Sequence, residues 1–479
     1  MIMKKYMTLA FAFMVLTVTA QETKRVWTLR ELVDYAIANN LTVKRSTYGV
    51  ETGEINYRQS KMAMLPSLNA NSNYGYNWGR TIDPVTNQFT EQRVNSINMN
   101  ASSSLLLWNG FRLYYSMKQN ETELDAVNED LMRARNDVIL NVITLYLNIV
   151  FNKELYLNAQ LQLRSTQEQL GQTRKLVEAG SLPRANVLQL ESQAASNELT
   201  LVQRENALNF SFLQLKQALQ LPGSTPMDVE KLEVSIDDNL LLNKTADEIF
   251  DIAVQTMPEI KAAQLRKRSS LYALRSTKGN LYPRLNVNGN ITTLYSDQRR
   301  QFQPDGGFNM ETRQIGYVTG SLTPVLADVV TPTGQLILPS RATQFDNNLG
   351  KSLGFNLQIP IFNGLQARSA VQRAAISRDL ADITLLETTN TLRQTVETAY
   401  NDAVAAAKTY SAAQRQVQAA DEAYRMNKQR FNLGAINFVE YQVSENDLFR
   451  AQSDFLRAKF DFIFRKKVLD FYQGLPIDF

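Results

Sequence analysis

The sequence predicts an α+β membrane protein made by duplication, each half supplying a helix, a β-hairpin, a very long helix and a shorter helix. Three observations lead there. Trp108-Asn109-Gly110 recurs as Phe362-Asn363-Gly364, Gly180 as Gly434, and Leu221-Pro222 as Leu475-Pro476, each 254 positions on. A register held without a gap from Asn109 to Pro222 marks an internal repeat. Proline-free stretches with sevenfold apolar spacing then alternate with segments of period two, the signatures of packed helices and of strands. Finally, the period-two segments put asparagine, serine and glycine on one face and apolar side chains on the other, as strands do when they cross an outer membrane around a polar lumen.

The elements follow in order. Residues 1–20 read as a signal peptide: Lys4-Lys5, an apolar run from Tyr6 to Val18, then small residues before Gln21. The run is about 13 residues where a membrane span needs roughly 20. The first repeat, 21–244, opens with a helix over 28–63. Thr28 to Leu68 matches Thr245 to Leu285 at a shift of 217, which is 37 less than 254, so an insertion lies between Pro283 and Asn363. A β-hairpin over 67–107 sets Leu68, Ala70, Ser72, Tyr74 and Tyr76 against Asn69, Asn71, Asn73, Gly75 and Asn77. The long helix 111–178 has about 68 positions, or roughly 100 Å, and Gly180 with Pro183 stops it. The helix 184–220 carries Val187, Ala194, Leu201, Leu208 and Leu215 at sevenfold spacing, and an equatorial linker covers 221–244.

The second repeat, 245–479, has helix 247–281, a hairpin 284–360 with a long loop over 296–347, long helix 365–432 and helix 438–473. Tyr441, Leu448, Phe455, Phe462 and Leu469 repeat the heptad phase. Such spacing suits helices packed side by side, and an ordinary bundle core explains it equally well. Lengths discriminate better: helices 184–220 and 247–281 laid end to end give about 72 positions, roughly 108 Å, matching one long helix. An elongated helical cylinder fits this arithmetic.

Composition narrows the function. The chain has no cysteine and no histidine, which removes disulfides, thiolate ligands, a cysteine for lipid attachment and the usual general base together. No catalytic site, metal or cofactor is expected. A formal net charge of +4 does not point to nucleic acid, and no stretch after the signal peptide reads as a transmembrane helix. Four strands cannot close a barrel, and open strand edges are not tolerated in lipid; two copies would supply eight strands and three would supply twelve. A non-conducting periplasmic coiled-coil scaffold or adhesin with a soluble β domain is the competing reading.

The paired repeats, the turns at 108–110 and 362–364, the glycine turns at 180 and 434, and Arg430-Phe431-Asn432-Leu433-Gly434-Ala435-Ile436 together make the chain resemble the TolC-like outer-membrane efflux proteins over essentially its whole mature length. The resemblance implies a homotrimer with a 12-strand β-barrel in outer-membrane lipid, on a periplasmic α-helical barrel. It also implies a periplasmic adaptor and an inner-membrane transporter of RND, ABC or MFS type as partners. Asn109, Gly110, Asn363 and Gly364 would form barrel-helix turns. Gly180, Ser181, Leu182, Gly434, Ala435 and Ile436 would form helix-tip turns where the adaptor docks. The family places an acidic residue six positions after each tip glycine to line or latch the aperture; here those positions hold Asn186 and Glu440. A basic residue common two positions after the second tip glycine is replaced by Ile436, so Arg184 is the candidate partner for Glu440. A solvated acid favoured by a helix N-terminus explains Glu440 too.

Overall fold

The computed structural model describes residues 25–83, 85, 87–91, 93–231 and 244–475; the expected signal peptide, the middle of the 221–244 linker and Pro476 lie outside them. The first repeat runs β1 (Arg25–Trp27), α1 (Leu29–Asn39), α2 (Leu41–Met62), β2 (Ser67–Asn77), β3 (Thr81–Ile82), β4 (Phe89–Thr90), β5 (Val94–Trp108), α3 (Arg112–Glu178), α4 (Arg184–Ala218) and β6 (Met227–Val229). The second runs α5 (Ala246–Thr256), α6 (Pro258–Lys278), β7 (Arg284–Ser296), β8 (Gln301–Tyr317), β9 (Pro324–Ile337), α7 (Arg341–Asn347), β10 (Gly350–Gln358), α8 (Gln366–Asn432) and α9 (Phe438–Tyr472). The duplication survives in element length: α3 and α8 have 67 residues each, α4 and α9 have 35 each, and α1 and α5 have 11 each.

The chain divides into two compact units, one helical and one strand-bearing. In the helical unit the two repeats bury matching side chains. Leu32, Val142 and Leu215 sit in one core cluster, and Ile249, Val396 and Leu469 in another. Val396 and Leu469 lie 254 positions after Val142 and Leu215, and Ile249 lies 217 after Leu32. Both α1 and α5 begin with a capping box, Thr28 with Glu31 and Thr245 with Glu248, each satisfying two otherwise orphaned backbone donors. One window of α3 is long and apolar enough to cross a membrane by composition, but 44% of it is buried within the protein. Val138, Val142, Ile143 and Ile149 of this helix pack in the first cluster, so its hydropathy is that of a core.

Two expected helices and the linker fold differently. The helix expected over 28–63 is two helices, broken at Asn40, whose backbone is extended (φ −63°, ψ 131°). Its side-chain oxygen accepts from the Thr42 amide at 2.8 Å, so the residue that ends α1 also caps α2. The helix expected over 247–281 breaks at Met257, again extended, because a residue preceding proline is driven out of the helical region and Pro258 is well placed only as a first helical residue. Its last turn is a 3₁₀ turn, Gly279–Leu281. Part of the expected linker is a strand: β6 pairs in parallel with β1, Trp27 opposite Val229, and the Tyr146 hydroxyl donates to the Glu230 carbonyl at 2.9 Å. Burial, with the Glu230 charge adding, pushes that phenol up to about 12.

In the strand-bearing unit one antiparallel sheet has the order β10-β7-β5-β2. Its register aligns the faces across all four strands. Ser352, Asn290, Ser102 and Asn69 lie in one row, and Leu353, Gly289, Ser103 and Leu68 in the next. Since directly opposed residues share a face, one side of the sheet is amide and hydroxyl; the other carries Leu68, Met99, Ile291, Leu353, Phe355 and Leu357. The outer edges of β2 and β10 pair with no described strand. The long loop expected over 296–347 contains regular structure: β8 and β9 form a second ribbon and α7 follows it. Its strands are interrupted by Pro304, Asp305-Gly306-Gly307 and Pro332, which hide a period-two pattern from a short window.

Candidate aperture at the helix tips

The two tips are built alike. At the first, Gly180 takes φ +71° and the Ser181 amide donates back to the Leu176 carbonyl at 2.8 Å. At the second, Gly434 takes φ +73° and the Ala435 amide donates to the Arg430 carbonyl at 2.8 Å. This is the bond pattern that closes a helix on a left-handed residue. Leu182 is half-buried, as is Ile436; Ser181 and Ala435 are exposed.

The starts of the outgoing helices differ. Pro183 precedes α4 and makes no side-chain cap. Asn437 precedes α9, and its side chain accepts from the Glu440 amide at 2.9 Å while its amide donates to the Glu440 carboxylate at 2.8 Å. Glu440 is therefore a first-turn residue already engaged by the cap, in the position that a helix dipole favours for a carboxylate. Within one protomer the structure does not pair Arg184 with it. No ion pair joins the two among the described residues, both side chains are exposed, and the carboxylate is taken by its own first turn. Asn186 donates its backbone amide to the Pro183 carbonyl at 3.1 Å. Around Glu440, a groove of about 780 Å³ between α8 and α9 is lined by Ala419, Ala420, Ala423, Arg430, Asn437 and Val443, among others.

The tip interior holds groups that sequence reasoning missed. Leu190 of α4 and Phe438 and Tyr441 of α9 form one buried cluster, with Leu170, Tyr424, Phe431 and Ile436 packed on it. Phe431 and Tyr441 stack with ring centroids 5.0 Å apart. Beneath them Glu445 is only 4% exposed. Its carboxylate accepts from Ser165 Oγ at 2.7 Å and from Gln169 Nε2 at 2.7 and 2.8 Å. Gln169 also donates to the Tyr441 hydroxyl at 3.0 Å. Burial first, then the hydrogen bond with Tyr424 and the Glu445 charge, pushes the Tyr441 phenol far above its ordinary range. Deeper along α3, the Asn197 amide donates to Thr166 Oγ1 at 2.8 Å between two buried side chains. The signal for Glu445 was present: it falls four residues after Tyr441 and three before Leu448, inside the apolar stripe, where an acid must be hydrogen-bonded.

In the strand-bearing unit the turns at Asn109-Gly110 and Asn363-Gly364 share one backbone. Gly110 and Gly364 both take φ +61°, and Phe111 and Leu365 follow at +59° and +64°. The Arg112 and Gln366 amides each donate back to the asparagine carbonyl at 3.2 Å. Their surroundings differ: a Cβ on Gly110 would meet Tyr282 at 2.8 Å, whereas one on Gly364 meets nothing within 4 Å.

A family-wide sequence profile described as outer membrane efflux protein matches residues 32–220 and 250–462, both repeats of the chain. The chain belongs to the outer membrane efflux protein family. It is similar to nodulation protein T of Rhizobium leguminosarum bv. viciae, with 20% identity over 89% of this chain and 77% of that protein. It is also similar to the outer membrane efflux protein BepC of Brucella suis biovar 1, with 22% identity over 54% and 53%. Among solved structures, CusC aligns with TM-score 0.72 and 15% identity over 94% of this chain and 92% of that one. The outer-membrane channel OprN aligns at 0.71 and 15% over 94% and 90%. This family member is accordingly an outer-membrane channel protein with its helical part in the periplasm, and not an enzyme.

Proposed function

We propose that the chain forms a homotrimeric exit duct, passive in itself, for substrates handed over by an inner-membrane transporter of RND, ABC or MFS type through a periplasmic adaptor, in efflux or in type I secretion. The observation that carries this reading is the four-stranded sheet with one amide face, one apolar face and two open edges. Hydrocarbon does not tolerate unpaired edges, so an outer-membrane sheet of this kind closes only by borrowing strands from other copies, and three copies give twelve. The tips supply the periplasmic end: Gly180, Ser181, Leu182, Gly434, Ala435 and Ile436 present the turns to the adaptor, with the α8–α9 groove beside Glu440 as part of that surface. Of the two aperture positions six residues after the tip glycines, Glu440 keeps the carboxylate and Asn186 is its neutral counterpart, with Arg184 an exposed cation.

The test is purification followed by planar-bilayer recording. The channel reading expects a protein that needs detergent for extraction, migrates unheated at three times the protomer mass and conducts ions. Extraction in buffer alone with no conductance would establish the scaffold reading instead.

A further inference from the structure

The 37-residue difference between the two repeat registers has a structural counterpart. The ribbon from Gln301 to Ile337 contains as many residues, and the first repeat has only the two-residue strands β3 and β4 at the corresponding end of its hairpin. The ribbon is amphipathic. Going along it, the opposed pairs Phe302/Leu336, Pro304/Gly334, Phe308/Pro332 and Met310/Val330 share one face. The other face has Gln303/Gln335, Asn309/Thr331 and Glu311/Val329. The apolar stretch ends at the next pairs on this face, Thr312/Asp328 and Gln314/Leu326, where the Thr312 hydroxyl donates to the Asp328 carboxylate at 2.6 Å. Within one protomer this face has no cover: Phe308 is 71% and Met310 67% exposed.

A two-stranded ribbon is marginal in water without a further layer on its apolar face, and large apolar side chains exposed side by side mark a contact. Hydrocarbon cannot be the cover, because the free edges of β8 and β9 would leave backbone donors and acceptors unpaired in lipid. The position of the insert identifies the cover. It joins β7 to α7 and β10, strands of the sheet whose open edges require other copies. Every copy that helps close the ring therefore brings one ribbon to the same end of it. We propose that the ribbons of the assembled copies pack their apolar faces against one another around the common axis, forming a shared cap at the loop end of the barrel, with the glutamine, asparagine and charged face turned to water. This rests on the assembly reading above.

The absence of cysteine makes the test clean. In native outer membranes, oxidation of a Met310→Cys variant is expected to convert most of the protein into covalent protomer pairs. A Glu311→Cys variant, one residue along and on the opposite face, is expected to stay uncrosslinked. A thiol at Val330→Cys should be protected from a bulky maleimide until the oligomer is dissociated. An unheated oligomer that is intact while Met310→Cys crosslinks no better than Glu311→Cys overturns the cap and leaves the channel reading standing. Loss of the oligomer in the unsubstituted protein overturns both. Quenching of a fluorophore on the Met310→Cys variant by nitroxide lipid would make the membrane the occupant and overturn the cap as well.

Discussion

Outside the hairpin insert, the two repeats are most alike in their helices and least alike where their turns meet a neighbour. α3 and α8 have identical lengths, as do α4 and α9, and both tip glycines take nearly the same φ. Yet Gly110 lies against Tyr282 while Gly364 lies in open space, and α9 has a side-chain cap that α4 lacks. Duplication thus preserved the backbone, which each repeat needs for its own hydrogen bonds, while side-chain surroundings diverged. The comparison can be broken at graded points.

The largest effect belongs to the barrel-helix turns. Gly110→Ala forces a Cβ to 2.8 Å from Tyr282 on top of a left-handed backbone, and should destabilise by about 3 kcal/mol or more. Gly364→Ala carries the backbone term alone, about 1 kcal/mol. The temperature at which the unheated oligomer dissociates should fall clearly for the first and slightly for the second; equal shifts would remove the distinction between the turns.

Next comes the buried acid. Glu445→Ala takes the charged acceptor from the Ser165 hydroxyl and leaves the Gln169 amide only its bond to Tyr441, and should destabilise the tip interior by about 2 kcal/mol. Limited proteolysis between Gly171 and Gln189 should quicken while sites in the strand-bearing unit are unchanged. An unchanged cleavage rate would show that water reaches these groups. Glu440→Gln tests the aperture more directly, because it keeps the shape of the cap and removes the charge. Single-channel recordings should show weaker cation preference with the fold intact; unchanged selectivity would reduce Glu440 to a capping residue, whose removal to alanine is worth roughly 0.5–1 kcal/mol.

The smallest effect is shared by both repeats. Glu31 and Glu248 are held below the usual carboxylate range, chiefly by the backbone amides of Thr28 and Thr245. A depressed folded pKa means the contribution is present above the unfolded carboxylate range and is lost as pH falls through the folded values. Acid below the ordinary carboxylate range should therefore fray α1 and α5 together. Amide hydrogen exchange at Thr28 and Thr245, which donate to the two carboxylates, would check it, and protection that stays constant through that range would contradict the capping account.

Much of this fold was legible because its signals are local and periodic. The amide face of β2 and β5 needed only alternation, and the tip turns needed only glycine after a long proline-free run. The breaks at Asn40 and Met257 were missed because the arithmetic treated the segments as continuous, though Pro258 was in plain view. The β8–β9 ribbon was missed because its bulges and prolines disturb the period where a long connection was expected. At the tip, the residues around Gly180 and Gly434 could be located from spacing, but the partner of Glu440 could not. An exposed carboxylate takes the nearest rigid donor, and that was Asn437 three residues away rather than Arg184 in the other repeat.

Taken alone, the sequence determined the duplication, the helical and strand periods and the chemistry excluded by the lack of histidine and cysteine. These are properties of composition and short-range order, and they hold whatever the chain packs against. Tertiary structure alone decided that Glu445 is buried against Ser165 and Gln169, that Gly110 rather than Gly364 touches an aromatic ring, and that the apolar rows of β7 and β10 fall in register with those of β2 and β5. Each depends on residues tens to hundreds of positions apart, and distance along a chain carries no information about which side chains share a space once it is folded.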